Sequence, residues 1–589
     1  MSARGDKTCI VVGAGLSGMT AALLLARRGR AVTLVEKKAA VGPTLRGFSR
    51  KGVHFDTGLH YAGGLSPGGP LLRYFSLLGL NDLPLAEFNP QGFDRIRFPD
   101  AGREITLPVG CDALTDALCS EFPADVAFIR RYLRELKNAF YASPLLRSDE
   151  NRPFRTDAGL QDVFFPASTD KARADRGFHA GFRNESLDTV LRKGTGNDLL
   201  RAVLSIHSLL YGVSPEEIPF LQHARVAGSY LEGVKTVRGG GKRLVETLEK
   251  RLTEAGVDIL RGTAAKGFHL SPDNRINGLE LEDGRLLPAD DAIFTAHPAL
   301  LPALLPPGAV KPAFVRRLLS LEDTVSSFTL FCASEVPVPA LAGNNLFICF
   351  REGPAPGFRP TGAAAAGPFY ISGLPLGTRD VVPGLPPDAC GSVIPPGTGR
   401  TAYDVPSDAG RTVSVLPPDA DRTASDVPFG AGDPVYGLPA DCGGAVPKHG
   451  HMVFAPGHAD SCKAWARSKS GNRPAAYGHF KAETLDSVRS AVLRHCPELA
   501  SLNAMDGATP LTYRDFLESP GCGMYGTKHS LHQFSPLPAT RIPNLWTAGQ
   551  SVIAPGILGA IISGVTACAF VLGPEAIHEE LAACRCFKP

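Results

Sequence analysis

The fold follows from residues 7–64, which read KTCIVVGAGLSGMTAALLLARRGRAVTLVEKKAAVGPTLRGFSRKGVHFDTGLHYAGG. The apolar run from Cys9 to Val12 predicts a buried strand, which passes without a spacer into the turn GAGLSG at 13–18. A helix is predicted next, from Met19 to Arg28. A strand, a tight glycine turn and a helix in this order are typical of a unit that binds a dinucleotide.

The three glycines of this turn have different predicted roles. Gly13 permits the tight turn, Gly15 lets a pyrophosphate approach the backbone, and Gly18 lets the helix pack on the strand. A second strand, from Ala31 to Val35, ends in Glu36, which lies eighteen residues after Gly18. This spacing is close to the ~20 residues expected for a carboxylate that binds a ribose hydroxyl. An acid rather than an arginine at this position favours FAD or NAD over NADP.

The composition indicates an enzyme of more than one domain. The 589 residues are 44% hydrophobic and 20% charged, which provides for a sizeable core. A net charge of +3, with no dense basic block, argues against a nucleic-acid partner. The 13 cysteines are scattered without metal-like spacing and predict reduced thiols, while residues 1–7 are too short and polar for a signal peptide. We therefore expect a cytoplasmic protein.

The middle of the chain carries weaker patterns. Two helices are predicted between Ser186 and Gly212, with the second running unbroken from Asp198. Residues 374–447 are dense in Pro, Gly, Ala and Asp, and we expect a disordered or loosely attached insertion there. The nearby histidines His449, His451 and His458 have no carboxylate or thiol that completes a metal pattern, so no metal site is predicted.

A basic amphipathic helix is predicted from Asp125 to Tyr141. One stripe holds apolar residues at helical spacing, namely Phe128, Tyr132, Leu136 and Phe140, whereas Arg130, Arg131, Arg134 and Lys137 lie elsewhere. Two interpretations stay open. The helix either packs on a core with a solvated face or lies on an anionic membrane surface.

Two further stretches carry a resemblance to a known family. Residues 56–60 read DTGLH, and AGQ at 548–550 is followed by Pro555-Gly556 and an apolar run to Leu572 that predicts a buried helix. Together with residues 7–64, they resemble FAD-dependent phytoene desaturases, carotenoid isomerases and retinol saturases of the amine oxidase superfamily. The chain departs from these proteins in having Gly42-Pro43 where they have Gly-Gly, since proline has no N–H to offer a phosphate.

The resemblance implies a fold, a cofactor and a set of site residues. The fold is α/β, a Rossmann-type FAD-binding domain (residues 1–66, 236–300 and 541–575) interleaved with an α+β substrate domain (67–235 and 301–540), followed by a tail (576–589). The residues implied to bind FAD are Gly13, Gly15, Leu16, Ser17, Gly18, Glu36, Lys37, Arg46, Gly58, His60, Ala265, Gly549, Gln550, Gly556 and Ile557. Candidate catalytic side chains at the flavin face are Tyr525, His529 and His60.

Three functions fit this resemblance. The first is an FAD-dependent oxidoreductase that desaturates, saturates or isomerises an apolar isoprenoid or polyene by transfer at flavin N5. The second is an amine oxidase, for which an aromatic cage is expected although the chain has only two tryptophans. The third is a non-catalytic lipid-binding or prenyl-binding protein, which we would expect to have lost its phosphate-binding glycines. The first interpretation is favoured.

The expected partners follow from this interpretation. They are an apolar small molecule, an electron partner that is oxygen, a quinone or another reductase, and a peripheral contact with the inner face of a membrane at the helix 125–141. No second dinucleotide motif is present in the sequence to bind NAD(P)H.

Overall fold

The computed structural model describes residues 7–146, 185–335, 337–350, 367–376, 449–533 and 535–584. The strands of these residues are β1 (Thr8–Val12), β2 (Ala31–Glu36), β3 (Phe48–Arg50), β4 (Val53–Phe55), β5 (Ala62–Gly63), β6 (Leu85–Glu87), β7 (Asp94–Phe98), β8 (Arg103–Leu107), β9 (Val234–Val237), β10 (Asp258–Arg261), β11 (Ala265–Leu270), β12 (Ile276–Leu281), β13 (Leu286–Pro288), β14 (Asp291–Phe294), β15 (Ser326–Ser334), β16 (Asn345–Ile348), β17 (Phe369–Ile371), β18 (His449–Gly457), β19 (Asn503–Ala508) and β20 (Leu545–Thr547). The helices are α1 (Leu16–Arg27), α2 (Pro70–Leu77), α3 (Cys111–Glu121), α4 (Val126–Phe140), α5 (Leu187–Gly194), α6 (Asp198–Leu204), α7 (Phe220–Tyr230), α8 (Gly240–Glu254), α9 (Pro312–Leu319), α10 (Ala475–His495), α11 (Pro510–Leu517), α12 (Gly556–Leu572) and α13 (Pro574–Ala583).

A five-stranded parallel sheet forms the first layer, in the order β10-β2-β1-β14-β20. Its strands come from three distant parts of the chain, near residues 8–36, 258–294 and 545–547. The central strand β1 is almost entirely buried because helices cover the sheet. The predicted Rossmann-type arrangement is therefore present.

Helix α1 packs between this sheet and the C-terminal helix α12. Every residue from Leu16 to Leu25 is buried, so the helix is covered on all sides rather than along one stripe. Helix α12 has the predicted bounds, from Gly556 to Leu572, and is largely buried as well. The structure begins α1 three residues earlier than the predicted Met19, because Gly15 is already its N-cap and Gly18 lies inside its first turn.

The second layer is a seven-stranded sheet in the order β19-β15-β18-β17-β16-β7-β8. It is antiparallel except for the pairing of β16 with β7. Helix α10 packs on one side through Leu485, Val488 and Val492. Together, the two layers give the predicted fold, a Rossmann-type domain interleaved with an α+β domain.

The prediction of one unbroken helix that starts at Asp198 is wrong. Helix α6 ends at Leu204, and a separate 3₁₀ turn spans Ile206–Leu210. The reason is Ser205, whose hydroxyl donates to the carbonyl oxygens of Arg201 (2.8 Å) and Ala202 (3.2 Å) and thereby competes with the helical hydrogen bonds.

The predicted insertion 374–447 lies mostly outside the described residues. Its first residues are bound to the rest of the fold by backbone hydrogen bonds. The N–H of Leu374 donates to the carbonyl oxygen of Leu341, and the carbonyl oxygen of Leu374 accepts the N–H of Gly343. The N–H of Leu376 donates to the backbone carbonyl oxygen of Glu87. The chain leaves β17 and returns as β18, and these strands are antiparallel neighbours. Across the described residues, no helix has both the length and the apolar character needed to cross a bilayer.

Candidate functional site

One cavity of about 650 Å³ is lined by residues of both sheets. The parallel sheet contributes Val12 and Phe294 at the carboxyl ends of β1 and β14, and the antiparallel sheet contributes Phe331, Tyr370 and Phe454. A crevice at the carboxyl ends of parallel strands is where open α/β sheets bind their ligands. The cavity therefore joins a nucleotide-type site to an aromatic chamber.

Most of the predicted site residues meet at this cavity. Those that line it are Gly13, Gly15, Leu16, Ser17, Glu36, Lys37, Gly58, His60, Ala265, Tyr525, Gly549, Gln550, Gly556 and Ile557. They come from the N-terminal turn, the DTGLH segment, strand β11 and the C-terminal motif, and the last two lie hundreds of residues from the first two in the chain.

The glycines of the N-terminal turn differ in what surrounds them. A side chain at Gly18 would place its Cβ 1.9 Å from the carbonyl oxygen of Gly13, so no other residue fits there. Gly13 has a φ of +100°, and a Cβ would lie 2.6 Å from Oγ1 of Thr295. Gly15, in contrast, faces open space, with no atom within 4 Å of a built Cβ. That space lies at the N-terminus of α1, where free N–H groups and the helix dipole favour a phosphate.

Glu36 is held at the end of β2 in a fixed orientation. Its Oε2 accepts the N–H of Ala14 and its Oε1 accepts the N–H of Lys38, both at 2.8 Å. Burial raises the pKa of this carboxyl, and the two backbone hydrogen bonds oppose that shift. The remaining lone pairs of a carboxylate so placed can accept the hydroxyls of a ribose.

The C-terminal motif supplies a second helix N-terminus to the cavity. Gly556 begins the 17-residue helix α12 with a φ of +84°, and no atom lies within 4 Å of its built Cβ. The N–H of Gly549 donates to the hydroxyl of Ser563 (2.9 Å), which ties the loop to the same helix. Positive helix ends stabilise negative charge on a bound group.

Gly18, Arg46 and His529 do not line the cavity. Gly18 acts in packing, as described above. The guanidinium of Arg46 lies 2.7 Å from Glu249 and 3.6 Å from Glu246, so it pairs with these acids of α8 outside the cavity.

His529 is buried behind the C-terminal loop rather than at the cavity wall. Its Nε2 lies 3.3 Å from the carbonyl oxygen of Gln550, and burial lowers the pKa of the imidazole to about 4. The side chain therefore supports the backbone of Gln550.

The other two catalytic candidates do line the cavity. His60 packs against Tyr370 and Phe454, with ring centroids 6.1 and 5.4 Å away, and burial lowers its pKa to about 4. It is therefore uncharged at neutral pH. The hydroxyl of Tyr525 donates to the carbonyl oxygen of Leu209 at 3.4 Å, and burial raises its pKa.

Sequence reasoning missed the loop that covers one side of the cavity. Residues 518–526 include Glu518 and Cys522, which have positive φ values of 55° and 67°. Lys37, which directly follows β2, pairs with Glu518 at 2.6 Å. Asp323 accepts from His297 Nε2 (2.7 Å), from the hydroxyl of Ser519 (2.7 Å) and from the N–H of Gly521 (2.8 Å).

The buried Asp323 is the anchor of this loop. Burial alone would raise the pKa of its carboxyl, but the hydrogen bonds from His297, Ser519 and Gly521 outweigh burial and hold the pKa below its usual value. No local pattern around Asp323 distinguishes it in the sequence, because its partners lie 26 to 198 residues away.

Sequence reasoning also missed the aromatic wall. Tyr61, Tyr230, Tyr370 and Phe454 line the cavity side by side, with Tyr61 and Tyr230 ring centroids 5.2 Å apart. They come from a loop, a helix end and two strands, so no spacing in the sequence groups them. Tyr61 follows directly after the DTGLH segment, which is the one signal available in the sequence.

These features fit an FAD. Gly15 and Gly556 leave open space at two helix N-termini, Glu36 is oriented for a ribose, and Ala265 lines the same cavity. When bound, the flavin supplies hydride and electron transfer, and the chain supplies the binding and orientation.

Comparison with known proteins agrees with this site. The family model described as flavin containing amine oxidoreductase matches residues 16–363, more than half of the chain. Human all-trans-retinol 13,14-reductase is 23% identical over 97% of this chain and 86% of its own length. Phytoene desaturase of Cercospora nicotianae is 30% identical over 59% of this chain and 54% of its own length.

Solved structures show the same fold at low sequence identity. Putrescine oxidase bound to putrescine has a TM-score of 0.54 and 14% identity, covering 96% of this chain and 99% of its own. An oxidoreductase from Methanosarcina mazei also has a TM-score of 0.54, with 13% identity over 95% of this chain and 98% of its own. The chain belongs to the flavin containing amine oxidoreductase family, and it is an FAD-dependent oxidoreductase.

Proposed function

We propose that this oxidoreductase acts on carbon–carbon bonds of an apolar polyene or isoprenoid, by desaturation, saturation or isomerisation. The observation that carries the proposal is the chamber that continues from the cofactor site, because its walls are aromatic and aliphatic side chains such as Leu209, Val226, Phe331 and Phe454. An elongated apolar molecule gains free energy by leaving water for such a chamber.

The relatives support this substrate class. One is a retinol reductase, one a phytoene desaturase, and a third, from Methylomonas, is a 4,4'-diapolycopene oxygenase that is 25% identical over 59% of this chain. The names of these relatives refer to conjugated or isoprenoid substrates. Bound putrescine in a structural neighbour is weaker support for an amine, because that likeness is one of fold at 14% identity.

The residues of this chain would act by positioning and by excluding water. The turn at 13–18 and Gly556 would hold the anionic and polar parts of FAD, and the bound flavin would supply hydride and electron transfer to a substrate in the aromatic chamber. His60 contributes no charge to that chamber at neutral pH. These side chains would thereby exclude water from a hydrocarbon substrate while the bound flavin reacts with it.

The decisive test is anaerobic incubation of the FAD-loaded protein with polyenes and with primary amines, while flavin absorbance is followed. Bleaching by a saturated precursor, or reoxidation of a chemically reduced sample by a conjugated polyene, is the expected result. Bleaching by amines alone would contradict the proposal and assign the chain to the amine oxidases. No change in flavin absorbance and no desaturated, saturated or isomerised product with either class, in a sample that holds FAD, would favour a binding protein without turnover.

Two finer features belong to the same proposal. The electrons that the cofactor gains or loses are exchanged with oxygen, a quinone or another reductase. Access of a bilayer-soluble substrate is helped by peripheral contact at α4, whose exposed face carries Arg130, Arg131 and Arg134.

A further inference from the structure

One histidine in the wall of the cavity has ring nitrogens that are not hydrogen-bonded to the described part of the protein. His60 ends the DTGLH segment and packs edge-on against Tyr370 and Phe454, with ring centroids 6.1 and 5.4 Å away. Neither ring nitrogen forms a hydrogen bond with a described residue. A polar group inside a protein costs free energy unless a ligand or water supplies the missing hydrogen bond.

The ring nitrogens of His60 face the cavity. Among the described residues, the buried ring nitrogens without a hydrogen bond include Nε2 of His54 and Nε2 of His451, but neither nitrogen of His60. Both nitrogens of His60 are therefore accessible. Leu59 and Tyr61, on either side in the chain, are buried, whereas His60 is half-buried and lines the cavity. The accessible surface of the imidazole is therefore part of the cavity wall.

The other candidate groups for proton transfer are already engaged. The hydroxyl of Tyr525 donates to a backbone carbonyl oxygen, and His529 lies behind the cavity wall. A second histidine of the wall, His297, has its Nε2 2.7 Å from Asp323 and accepts a backbone N–H at its Nδ1 (3.3 Å). Of the described histidines that line the cavity, only His60 therefore offers a ring nitrogen to a ligand.

The imidazole of His60 is a neutral base at neutral pH. Burial lowers its pKa to about 4, and no charged group of the described residues contributes to this shift. The titratable side chain that packs on the ring is Tyr370, which is neutral as well because burial raises its pKa. One nitrogen of His60 therefore carries a hydrogen and the other carries a lone pair.

Desaturation of a carbon chain removes two hydrogens in different forms. One carbon loses a hydride to the bound flavin, and the neighbouring carbon loses a proton, whose C–H electron pair forms the new π bond. The proton needs an acceptor beside the substrate. A carbon next to a centre that is losing a hydride is strongly acidic, so a neutral base of low pKa is strong enough.

We propose that His60 is the catalytic residue that exchanges this proton with the substrate, as the acceptor in desaturation and, in its protonated form, as the donor in saturation. This inference rests on the proposed function, and it assigns to a side chain of the protein the step that the cofactor does not supply. After the product leaves, the imidazole exchanges its proton with solvent and returns to its starting form.

The test is a single-turnover measurement on the FAD-loaded full-length protein under anaerobic conditions. Flavin absorbance is followed after the oxidised protein is mixed with phytoene, or the chemically reduced protein with all-trans-retinol. We expect His60→Ala to lower the rate constant by about 100-fold or more. Its FAD content and its equilibrium binding of the probe should be unaltered.

Added imidazole should restore the rate of His60→Ala, because it can enter the space left by the ring and exchange the proton. Pyrazole has the same ring size but is a much weaker base, so it should not restore the rate. A side chain that only shapes the cavity would be replaced equally well by both compounds. His60→Gln, which stays polar but accepts no proton, should be as slow as His60→Ala and serves in its place if the alanine variant does not hold FAD.

His54→Ala is the matched control. Burial also lowers the pKa of His54 to about 4, but this residue does not line the cavity. Its variant should react at the rate of the unaltered protein, and imidazole should have no effect on it. The midpoint of thermal unfolding reports whether each variant is folded.

The pH dependence of the rate constant provides a second measurement. Because His60 is neutral well above pH 4, the rate of desaturation should be constant between about pH 6 and pH 8. The rate of saturation should fall about tenfold per pH unit over this range, since the protonated fraction of His60 falls by that factor. His60→Gln should show no such slope.

Two results would overturn the role of His60. They are a rate constant of His60→Gln equal to that of the unaltered protein, or a His60→Ala rate that imidazole raises no more than pyrazole does. If the unaltered protein converts polyenes and either result is found, the role of His60 is rejected and the proposed function stands. If the unaltered protein converts amines alone, or neither class, the proposed function fails and this inference fails with it.

Discussion

Gly15 has a different role from Gly13 and Gly18: a side chain at Gly13 or Gly18 would clash with the protein, whereas Gly15 faces open space. Because its built Cβ meets no atom of the protein, a larger side chain at this position can be accommodated by the fold but fills the space needed by a pyrophosphate. We expect Gly15→Val to yield a folded, colourless protein. The measurement is flavin absorbance after purification, together with the thermal midpoint in the absence of added FAD.

Gly196 provides the matched control for this substitution. It also has no atom within 4 Å of a built Cβ, it has no positive φ, and it lies in the turn between α5 and α6 away from the cavity. Gly196→Val should therefore keep its yellow colour. A Gly15→Val protein that retains a full complement of FAD would contradict the assignment of this space to the cofactor.

Asp56 should make the free energy of unfolding decrease as the pH rises, which is opposite to the usual effect of a carboxyl group. Burial raises the pKa of its carboxyl to about 7, against opposing hydrogen bonds from the N–H groups of Gly241, Leu59 and Gly58. The folded protein therefore binds a proton that the unfolded chain releases above about pH 4. The contribution of Asp56 to the free energy of unfolding should fall as the pH rises from about 4 to about 7.

The measurement is denaturant unfolding of the FAD-loaded protein across this pH range, compared with Asp56→Asn, which should have a flatter profile. Asp290→Asn is the control. The hydrogen bond from the N–H of Thr8 is the largest of the effects that lower the pKa of Asp290. The contribution of Asp290 to the free energy of unfolding is therefore fully present above about pH 4 and is lost only at lower pH. Identical slopes for the unaltered protein and Asp56→Asn would show that this carboxyl is ionised in the fold.

Sequence patterns indicate the residues whose predicted role depends on local chemistry, and they give no sign of residues whose partners are distant in the chain. Glycines and Glu36 act through backbone geometry within one βαβ unit, which the sequence displays directly. The sequence gives no sign that Glu246 and Glu249, two hundred residues away, pair with Arg46, whose predicted contact with FAD rests on the resemblance alone. Asp94 lies in an ordinary alternating strand and carries no local signal of its hydrogen bonds to side chains from other parts of the chain.

At the scale of elements, α4 shows how a helix divides its two faces. Its apolar side, including Ile129, Tyr132 and Leu133, is buried in the protein, whereas Arg130, Arg131 and Arg134 are exposed. The predicted amphipathic character is confirmed, but the buried side leaves no apolar face for insertion into a bilayer. Any membrane contact of α4 would therefore be electrostatic.

Changing Arg130, Arg131 and Arg134 together to Gln should weaken binding to anionic liposomes by roughly 3 kcal/mol, since each cation near such a surface contributes about 1 kcal/mol. The effect should decrease with salt, and FAD content should be unaltered. The control changes three exposed cations elsewhere, Arg243, Lys250 and Lys266. Equal flotation of the two triple variants with liposomes would reject α4 as a contact site.

At the scale of the whole molecule, the long segment between β17 and β18 joins strands that are already neighbours. Tyr370 pairs with Phe454, so the two ends are held together by the sheet. Loop length enters the entropy of closure only logarithmically. Replacing residues 378–447 with a short Gly-Ser linker should therefore preserve folding and FAD content.

The readouts are soluble yield, flavin content and the unfolding midpoint. Residue Leu376 is kept in this design because its N–H donates to Glu87, and a second variant that also removes Leu374 to Leu376 should be less stable. Loss of flavin in the first variant would show that the replaced segment contributes to the cofactor domain.

The parallel sheet has a consequence for how the protein is made. Its strands begin at residues 8, 31, 258, 291 and 545, and α12, which ends at residue 572, then covers α1. The N-terminus leaves the ribosome first. During much of translation β1 therefore lacks its neighbour β14, and β2 lacks its neighbour β10, so each has one unpaired edge. A polypeptide that terminates early, even at residue 540, lacks both the last strand and the helix that buries α1. We expect premature termination to yield a product that holds no flavin and is degraded. The flavin content of a preparation should therefore report the fraction of chains that were completed.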